Sequence, residues 1–320
     1  MSQFDEVKTV WMNGELVPWT KASIHVSSHA LHYGSGVFEG IRCYETDRGP
    51  AVFRVEEHID RLFASAQVYR IHIPYTKSEV GAAICQTIEA NNFTSCYVRP
   101  IVFFGSGTLG LDPRKCPVEV SVLAWPWPAF LGDEAMSAGV RITISPWRKF
   151  HSRMMPTTAK ACGQYLNSIL AVRDAAGRGF DEALLLDVDG GVAEGSGENL
   201  FLVRDGVLYT NGEEQSILLG ITRDAVMTIA RDLGLPVRTR ALALEDLMSA
   251  DEAFFTGTAA EVTPIREVDG VALGSPGWFT RSIQKTFMEA TAGRLPRYRR
   301  WLHYVDDCTF AGAYSAVPCI

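Results

Sequence analysis

One lysine of this sequence lies among small residues, which offer little to hold a long cation in solvent. Lys160 lies in the segment TTAKACGQY (Thr157–Tyr165), whereas the other six lysines, Lys149 among them, stand beside polar or turn residues and are interpreted as solvated. A lysine buried among small and apolar groups loses proton affinity and becomes a nucleophilic amine, as Schiff-base chemistry requires. Lys160 is therefore a candidate nucleophile, and the alternative is an exposed lysine at the start of a helix.

A carboxylate and a helix start further along the chain have the residue types that would complete such a site. Glu194 opens the glycine-rich bend EGSGENLF, where its carboxylate could pair with a pyridinium nitrogen, although a plain turn is the alternative. The segment GIT at 220–222 introduces an amphipathic helix whose first N–H groups would seat a phosphate, although a capped helix start is the alternative. Together with Lys160, these segments supply the lysine, carboxylate and phosphate seat that a pyridoxal phosphate enzyme needs.

A glycine pattern in the N-terminal half suggests a different cofactor. GSGTLG (Gly105–Gly110) fits G-x-G-x-x-G and follows a predicted strand. A dinucleotide fingerprint also requires a helix after the glycines, so that the helix N-terminus meets the pyrophosphate. Asp112-Pro113 and Cys116-Pro117 follow instead, and no helix can begin there and continue. We interpret the segment as a loop, either flexible or closing over a site, and not as a dinucleotide site.

The chain from Glu194 to Arg223 resembles the class IV (fold type IV) pyridoxal phosphate aminotransferases, and specifically the branched-chain amino acid aminotransferases. The family's E-x-small-x-x-N-apolar-aromatic block, its apolar-x-T and its apolar-x-G-apolar-x-R ending are all matched. Three further segments carry the resemblance: SHALHYGSGVFEGIRCY (Ser28–Tyr44), YVRP (Tyr97–Pro100) and GTAAEVTP (Gly257–Pro264). It extends over nearly the whole chain, as far as Val305.

The resemblance implies an α+β fold with two domains. A small N-terminal α+β domain would precede a larger C-terminal mixed α/β pseudo-barrel domain, with the cofactor at the domain interface. On the sequence we expect the small domain at 1–124, an interdomain linker at 125–138, the cofactor domain at 139–305 and a peripheral tail at 306–320. The linker contains WPWP, in which the prolines forbid regular structure.

Carried over residue by residue, the resemblance implies which residues hold pyridoxal 5′-phosphate. Lys160 would bind the cofactor covalently, Glu194 would contact the ring nitrogen, and Tyr165 would bond to the ring hydroxyl oxygen. The phosphate would be held by side chains and backbone N–H groups of four residues: Arg61, Ile221, Thr222 and Thr258.

The resemblance also implies a substrate pocket. Tyr97 and the backbone of Thr258 and Ala259 would receive the α-carboxylate, and Arg99 would meet the distal carboxylate of glutamate. The glycine loop would reach the neighbouring subunit's site through a residue near Leu111, which implies a homodimer or a higher homo-oligomer. Aromatic residues would wall an apolar side-chain pocket: Tyr33, Phe38, Trp127 and Tyr165.

The implied activity is the reversible transfer of the amino group of L-leucine, L-isoleucine or L-valine to 2-oxoglutarate, giving the branched 2-oxo acid and glutamate. D-amino acid aminotransferases and aminodeoxychorismate lyases would share Lys160 and Glu194, but Tyr97-x-Arg99 and GTAAEVTP favour the branched-chain enzyme. A binding protein that kept the fold without the cofactor is the alternative from another class.

Some features depart from the family. Phe130 stands where bacterial members often carry a tyrosine after the pocket tryptophan, which removes a hydroxyl and is expected to shift the side-chain preference. The glycine loop differs from the usual loop in composition, and the tail after Val305 has no counterpart. The C-x-x-C redox switch of the animal members is absent, so no thiol regulation is inferred.

Hydrophobic spacing and turn residues predict the elements that must position these residues. The N-terminal part is predicted to contain a hairpin around Asn13-Gly14, strands at Phe38–Thr46, Cys96–Phe104 and Val118–Ala124, and helices at Val55–Arg70 and Lys77–Asn91. The C-terminal part is predicted to contain strands near Val140–Ser145, Ala183–Asp187, Asn199–Val203, Val237–Ala241 and Ala253–Thr256, and helices near Cys162–Ala176, Thr222–Leu233 and Trp278–Thr291.

Composition restricts the class of protein. The 320 residues are 47% hydrophobic and carry a net charge of −7, which is typical of a globular chain and opposes binding to nucleic acid. The longest stretch without charged residues, Ala22–Phe38, is too short to cross a membrane. Asp5 and Glu6 stand where a secretory signal carries positive charge, so we expect a cytoplasmic protein. The seven cysteines are scattered and are interpreted as reduced thiols, and no metal site is predicted.

Overall fold

The computed structural model describes residues 2–127, 132–273 and 276–307, which divide into two compact units. Of these residues, the first unit contains 2–127, 160–163 and 291–307, and the second contains 132–159, 164–273 and 276–290. The boundary after Trp127 falls in the segment predicted as a linker, but 160–163 and 291–305, assigned to the second domain on the sequence, group with the first unit. Phe130 and residues 308–320 of the predicted tail lie outside the described residues.

The helices and strands of the described residues are as follows. The α-helices are α1 (His29–Tyr33), α2 (Val55–Val68), α3 (Lys77–Asn91), α4 (Asp133–Ala138), α5 (Tyr165–Gly177), α6 (Ile221–Asp232), α7 (Leu244–Met248) and α8 (Trp278–Thr291). The strands are β1 (Thr9–Met12), β2 (Glu15–Pro18), β3 (Gly36–Phe38), β4 (Ile41–Thr46), β5 (Gly49–Phe53), β6 (Cys96–Phe104), β7 (Val118–Trp125), β8 (Val140–Ile144), β9 (Glu182–Leu186), β10 (Val192–Gly195), β11 (Asn199–Arg204), β12 (Val207–Thr210), β13 (Val237–Thr239), β14 (Glu252–Gly257), β15 (Glu261–Val268), β16 (Val271–Ala272) and β17 (Leu302–Tyr304).

An antiparallel sheet organises the first unit, in the strand order β17-β5-β4-β6-β7-β1-β2, with β3 also paired to β6. The predicted hairpin is confirmed, because β1 and β2 pair around Asn13 and Gly14, whose φ angles of 50° and 100° suit a two-residue turn. The two predicted helices are found as α2 and α3. α3 begins at a capping box, in which Thr76 and Glu79 satisfy each other's backbone N–H groups.

The strand predicted over Phe38–Thr46 is two strands in the structure, so the prediction of a single strand is wrong. β3 and β4 both pair antiparallel with β6, and Glu39 and Gly40 separate them. The Glu39 N–H donates instead to the Pro100 carbonyl oxygen at 2.9 Å. The interruption brings a fully buried carboxylate into an otherwise apolar stretch.

A mixed sheet organises the second unit, in the strand order β10-β9-β8-β15-β14-β11-β12-β13, with β16 paired to β15. Parallel pairs join β9 to β8, β8 to β15 and β12 to β13, and the remaining pairs are antiparallel. The core of this sheet contains fully or almost fully buried apolar side chains, among them Val140, Ile142, Leu184, Leu200 and Phe255. Helices combined with antiparallel and mixed sheets confirm the α+β fold class.

The central strand β15 is missing from the sequence predictions. Its sequence EVTPIREV carries Pro264 and several charged residues, which oppose assignment to the interior of a sheet. In the structure β15 lies between β14 and β8, and its register with β8 shifts between Ile265 and Glu267. A proline is tolerated in a sheet next to such an irregularity, and a search for apolar runs therefore misses this strand.

Four of the cysteines follow the prediction. Cys43, Cys96, Cys116 and Cys162 are free thiols. None of the helices in the described residues is both long and apolar enough to cross a membrane.

Candidate active site

Lys160 lies in an extended segment beside β3 in the first unit. Its backbone N–H donates to Ser65 Oγ of α2 at 3.0 Å, and its carbonyl oxygen accepts from the Phe38 N–H at 3.0 Å. The Lys160 Nζ lies 5.1 Å from the centroid of the Phe38 ring. Burial, together with the positive charge of Arg61, lowers the pKa of Lys160 to about 8. An amine with this pKa is a better nucleophile near neutral pH than an ordinary lysine.

Arg61 of α2, predicted to bind the cofactor phosphate, forms an ion pair with Glu39. Arg61 Nε lies 2.6 Å from Glu39 Oε1, and one Arg61 Nη lies 2.9 Å from Oε2. The same Oε2 lies 2.7 Å from Nδ1 of His58. Burial by itself would raise the pKa of Glu39, but Arg61 and His58 together hold it well below its usual range. Glu39 is therefore ionised at neutral pH despite its burial.

Arg99 of β6 lies among aromatic rings. Its guanidinium carbon lies 4.6 Å from the ring centroid of Phe38, 5.3 Å from that of Tyr97 and 5.8 Å from that of Trp125. Arg99 Nη2 donates to the Tyr97 hydroxyl at 3.4 Å, while the buried Arg99 Nε has no hydrogen-bond partner among the described residues. Aromatic faces stabilise a guanidinium but leave its N–H groups unsatisfied. The buried donor therefore suits an acceptor that a ligand brings.

Gly40 leaves the space that the Tyr97 hydroxyl occupies. A Cβ at residue 40 would lie 1.8 Å from Tyr97 Oη and 2.8 Å from Tyr97 Cζ. We expect Gly40→Ala to displace the ring and to lower the free energy of unfolding by about 1–3 kcal/mol, as overpacking does. Gly177→Ala at the end of α5 is the matched control, since nothing lies within 4 Å of its added Cβ. Denaturant unfolding measures both variants, and equal stability of the two would contradict the prediction.

The other residues predicted to line the substrate pocket from the first unit have different surroundings. The Trp127 ring packs edge to face against the Tyr97 ring at a centroid distance of 4.5 Å, so Trp127 joins the group around Arg99. Tyr33 is 45% exposed and donates its hydroxyl to the Leu109 carbonyl oxygen at 2.6 Å. Leu111 is 82% exposed. Tyr33 and Leu111 therefore lie at the surface with the glycine loop.

The glycine loop connects an antiparallel hairpin. β6 and β7 pair as far as Phe104 opposite Val118, and the loop between them contains a 3-10 turn, Pro113–Lys115, and no α-helix. The interpretation as a loop is therefore confirmed. A Cβ at residue 107 would lie 2.4 Å from a backbone carbonyl oxygen, so Gly107 permits a close approach of the two sides of the loop.

In the second unit, Glu194 of β10 is a buried carboxylate with three partners. The Nζ of Lys149 lies 2.5 Å from Glu194 Oε1. The Leu218 N–H donates to Oε2 at 3.0 Å, and Asn199 Nδ2 donates to it at 3.3 Å. Lys149 is 11% exposed, so its interpretation as a solvated lysine is wrong, because the Glu194 partner distant in sequence is what permits its burial.

The predicted phosphate seat lies at the start of α6. Ile221 and Thr222 are its first two residues and both are buried. Gly220 precedes them, and no side chain caps this end of the helix. A Cβ at residue 220 would lie 2.2 Å from Asn199 Oδ1, so glycine is needed for the close approach of the helix start to this amide. The backbone N–H groups and helix dipole at such an end favour an anion.

The remaining predicted residues of the second unit are partly exposed. Tyr165 is the first residue of α5, and Thr258 and Ala259 lie in the turn between β14 and β15. All three are half-buried. The helix predicted from Cys162 begins instead with a short 3-10 turn, and α5 itself starts at Tyr165.

Sequence reasoning missed Glu39, His58 and Lys149. One signal was available for the first two, since His58 and Arg61 stand three residues apart on one helix and Glu39 interrupts an apolar stretch. No local signal marks Lys149, because its partner Glu194 is far away in the sequence.

The chain matches known protein families and structures over most of its length. Residues 36–268 match the family model for amino-transferase class IV. The branched-chain-amino-acid aminotransferase of Pseudomonas aeruginosa is 44% identical over 303 residues, which cover 94% of this chain and 98% of that protein.

The fold is also similar to solved structures of branched-chain amino acid aminotransferases. The crystal structure of Escherichia coli branched-chain amino acid aminotransferase aligns with a TM-score of 0.92 at 44% identity, covering 93% of this chain and 99% of that chain. The branched-chain amino acid aminotransferase from Thermobaculum terrenum in its PLP form aligns with a TM-score of 0.87 at 35% identity, covering 93% of this chain and 98% of that chain.

Proposed function

Because the chain belongs to the class IV amino-transferases, and within them to the branched-chain-amino-acid aminotransferases, its cofactor is pyridoxal 5′-phosphate, and we propose how its residues carry out the transfer. The amino group of L-leucine, L-isoleucine or L-valine passes reversibly to 2-oxoglutarate, giving the 2-oxo acid and glutamate. The observation that carries this function is the Lys160 amine with a pKa of about 8, which lies with Arg61 and Arg99 in one unit. Two guanidiniums beside a nucleophilic amine suit a phosphorylated aldehyde and substrates that carry carboxylates.

In this proposal six residues besides Lys160 would hold the cofactor. Lys160 would anchor it covalently and Glu194, which forms an ion pair with Lys149, would contact the ring nitrogen. When bound, pyridoxal 5′-phosphate supplies an electron sink for the negative charge at the substrate Cα. The phosphate and the ring hydroxyl are bound by Arg61, Tyr165, Ile221, Thr222 and Thr258.

Lys160 also moves the proton. With the cofactor bound, the Lys160 amine would take the proton from the substrate Cα and would deliver it to the cofactor C4′ carbon. A pKa of about 8 lies close to neutral pH, so the same amine can accept and donate a proton without a large free-energy cost in either direction.

The residues around Arg99, which are Phe38, Tyr97 and Trp127, would recognise the substrate. Tyr97, with the backbone of Thr258 and Ala259, receives the α-carboxylate, while Phe38 and Trp127 contact the apolar side chain. Arg99 meets the distal carboxylate of glutamate, which would otherwise lose its solvation without a partner. The Arg99 guanidinium lies over the rings of Phe38 and Tyr97, and these apolar rings would also accept a branched apolar side chain.

Arg99→Met is expected to weaken glutamate and 2-oxoglutarate selectively. The loss of a charged hydrogen bond should weaken their binding by about 1.5–3 kcal/mol, which appears as a higher KM. The half-reaction with leucine should change much less, because leucine brings no second carboxylate. Single-turnover measurements with glutamate and with leucine test this. Equal losses of rate for the two amino acids would show that Arg99 stabilises the site without binding the distal carboxylate.

A substrate panel tests the function itself. We expect turnover of L-leucine, L-isoleucine and L-valine with 2-oxoglutarate as acceptor. D-Alanine and 4-amino-4-deoxychorismate, the substrates of the two related activities, should give none. Preferential use of either compound would overturn the branched-chain assignment.

We further propose that the enzyme is a homodimer or a higher homo-oligomer. Apolar side chains beside and within the glycine loop are exposed in the single chain: Val26, Leu31, Leu109 and Leu111 are 69%, 60%, 47% and 82% exposed. Burying them against a second copy would remove apolar area from water and order the loop.

Light scattering should give a mass of at least twice 35.2 kDa. Leu111→Asp should shift the protein towards the monomer and lower activity, because a charge in a buried interface is costly. Leu16→Asp is the matched control, since Leu16 lies on β2 away from the loop and is 43% exposed. A fully active monomer would refute the proposal.

The proposal includes a cytoplasmic location and small-molecule partners. Four free thiols suit a reducing compartment. The net charge of −7 opposes nucleic acid as a partner.

A further inference from the structure

We propose that Glu39 and His58 are positioning residues for the cofactor phosphate, because they hold the Arg61 guanidinium in one orientation within the first unit. The inference rests on the proposed role of Arg61. It assigns a function to two buried polar residues that neither touch the reacting atoms nor belong to the apolar core.

Glu39 holds Arg61 through two hydrogen bonds. The distances of 2.6 and 2.9 Å join both carboxylate oxygens to Nε and one Nη of Arg61, which is a bidentate ion pair. The Glu39 side chain is fully buried and that of Arg61 is 15% exposed. A bidentate pair fixes the plane of the guanidinium as well as its position.

His58 fixes Glu39 in turn. Its Nδ1 lies 2.7 Å from Glu39 Oε2, and because an ionised carboxylate only accepts, the Nδ1–H donates. Burial lowers the pKa of His58 below its ordinary value, against the raising effect of Glu39, so the ring is neutral at pH 7. A neutral donor secures the carboxylate without competing with Arg61 for its charge.

The backbone places these groups together. Glu39 occupies the interruption between β3 and β4, and its N–H donates to Pro100, so it leaves the strand register without leaving the sheet. His58 and Arg61 stand one turn apart on α2. The arrangement joins the sheet to the helix that carries the phosphate-binding guanidinium.

Holding the guanidinium in advance favours phosphate binding. A free arginine side chain must lose rotamer entropy when it binds an anion, and a side chain held beforehand has already lost it. A guanidinium has five N–H donors, and the bonds to Glu39 use two of them. Glu39 also lowers the net positive charge near the phosphate, so orientation and charge predict opposite effects of its removal.

The test compares pyridoxamine 5′-phosphate with pyridoxamine, which differ by the phosphate and do not react with Lys160. Calorimetry on the full chain stripped of cofactor gives the ratio of their dissociation constants, and this ratio isolates recognition of the phosphate. Arg61→Ala should reduce the preference for the phosphorylated compound by about 10- to 100-fold, as expected for a lost charged hydrogen bond. Glu39→Gln should reduce it by about 5- to 10-fold, through a looser guanidinium.

His58 provides a second pair of variants in case Glu39→Gln does not fold. Asparagine places an N–H donor where Nδ1 lies, so His58→Asn should keep the preference for the phosphate, whereas His58→Leu should reduce it. Thermal unfolding of each variant reports any general loss of stability.

The outcomes separate the inference from the proposal beneath it. An unchanged ratio in Arg61→Ala would overturn the role of Arg61 and the inference with it. A changed ratio in Arg61→Ala with an unchanged or increased preference in Glu39→Gln would overturn the inference alone. Equal ratios in His58→Asn and His58→Leu would also overturn it.

Discussion

Lys160→Ala is expected to abolish transamination while the protein keeps its fold. The Lys160 amine is the group with a pKa lowered to about 8, and losing both the covalent anchor and the proton carrier should reduce kcat by at least about four orders of magnitude. The backbone contacts of residue 160 to Ser65 and Phe38 do not involve its side chain, so the local structure should persist.

Steady-state turnover of leucine with 2-oxoglutarate, together with circular dichroism, measures both expectations. Lys77→Ala is the matched control, because its side chain is 56% exposed and pairs with Asp60 at the surface. Its kcat should stay within about twofold of the parent, as exposed ion pairs contribute little. More than a trace of activity in Lys160→Ala, without an added amine, would contradict the assignment.

Glu194→Gln is expected to reduce kcat by at least about 100-fold, which corresponds to about 2.7 kcal/mol of transition-state stabilisation. A neutral amide cannot hold a proton on the ring nitrogen as a carboxylate does, and electron withdrawal from the substrate Cα weakens. Glu245→Gln on α7 is the control, because Glu245 is exposed and should change kcat little. Near-normal turnover of Glu194→Gln would show that this residue only shapes the bend.

A substitution of Lys149 distinguishes two explanations for the expected loss of kcat in Glu194→Gln. Glu194→Gln removes the carboxylate proposed to contact the ring nitrogen and also leaves the Lys149 ammonium without this partner. Lys149→Met removes the ion pair but keeps the carboxylate, which still accepts from Leu218 and Asn199. We therefore expect a much smaller loss of kcat in Lys149→Met. Equal losses would mean that the ion pair, and not contact with the ring nitrogen, accounts for the effect of Glu194→Gln.

Much of the fold and part of the site follow from short segments. The hairpin at Asn13-Gly14, α3 and α8 have their predicted places, because turn residues, caps and helical spacing act within a few residues. The proposed cofactor residues Lys160 and Glu194 were found for the same reason, since each stands in a contiguous segment of unusual composition. The strand β15 was not predicted, because a proline such as Pro264 argues against a central strand when only the sequence is considered.

The sequence by itself determined the α+β class and the family, and it suggested the residues proposed to carry the reaction, because these depend on residue type and short spacing. Only the tertiary structure decided how the charges pair. Glu39 meets Arg61 because β3 and β4 are interrupted beside α2, and Lys149 meets Glu194 across a long separation in the sequence. Whether a charged side chain is solvated or buried depends on which distant group reaches it when the chain folds. Burial strengthens these ion pairs, because the attraction between charges is greater away from water, and it lowers the pKa of Lys160, because the buried ammonium loses its solvation.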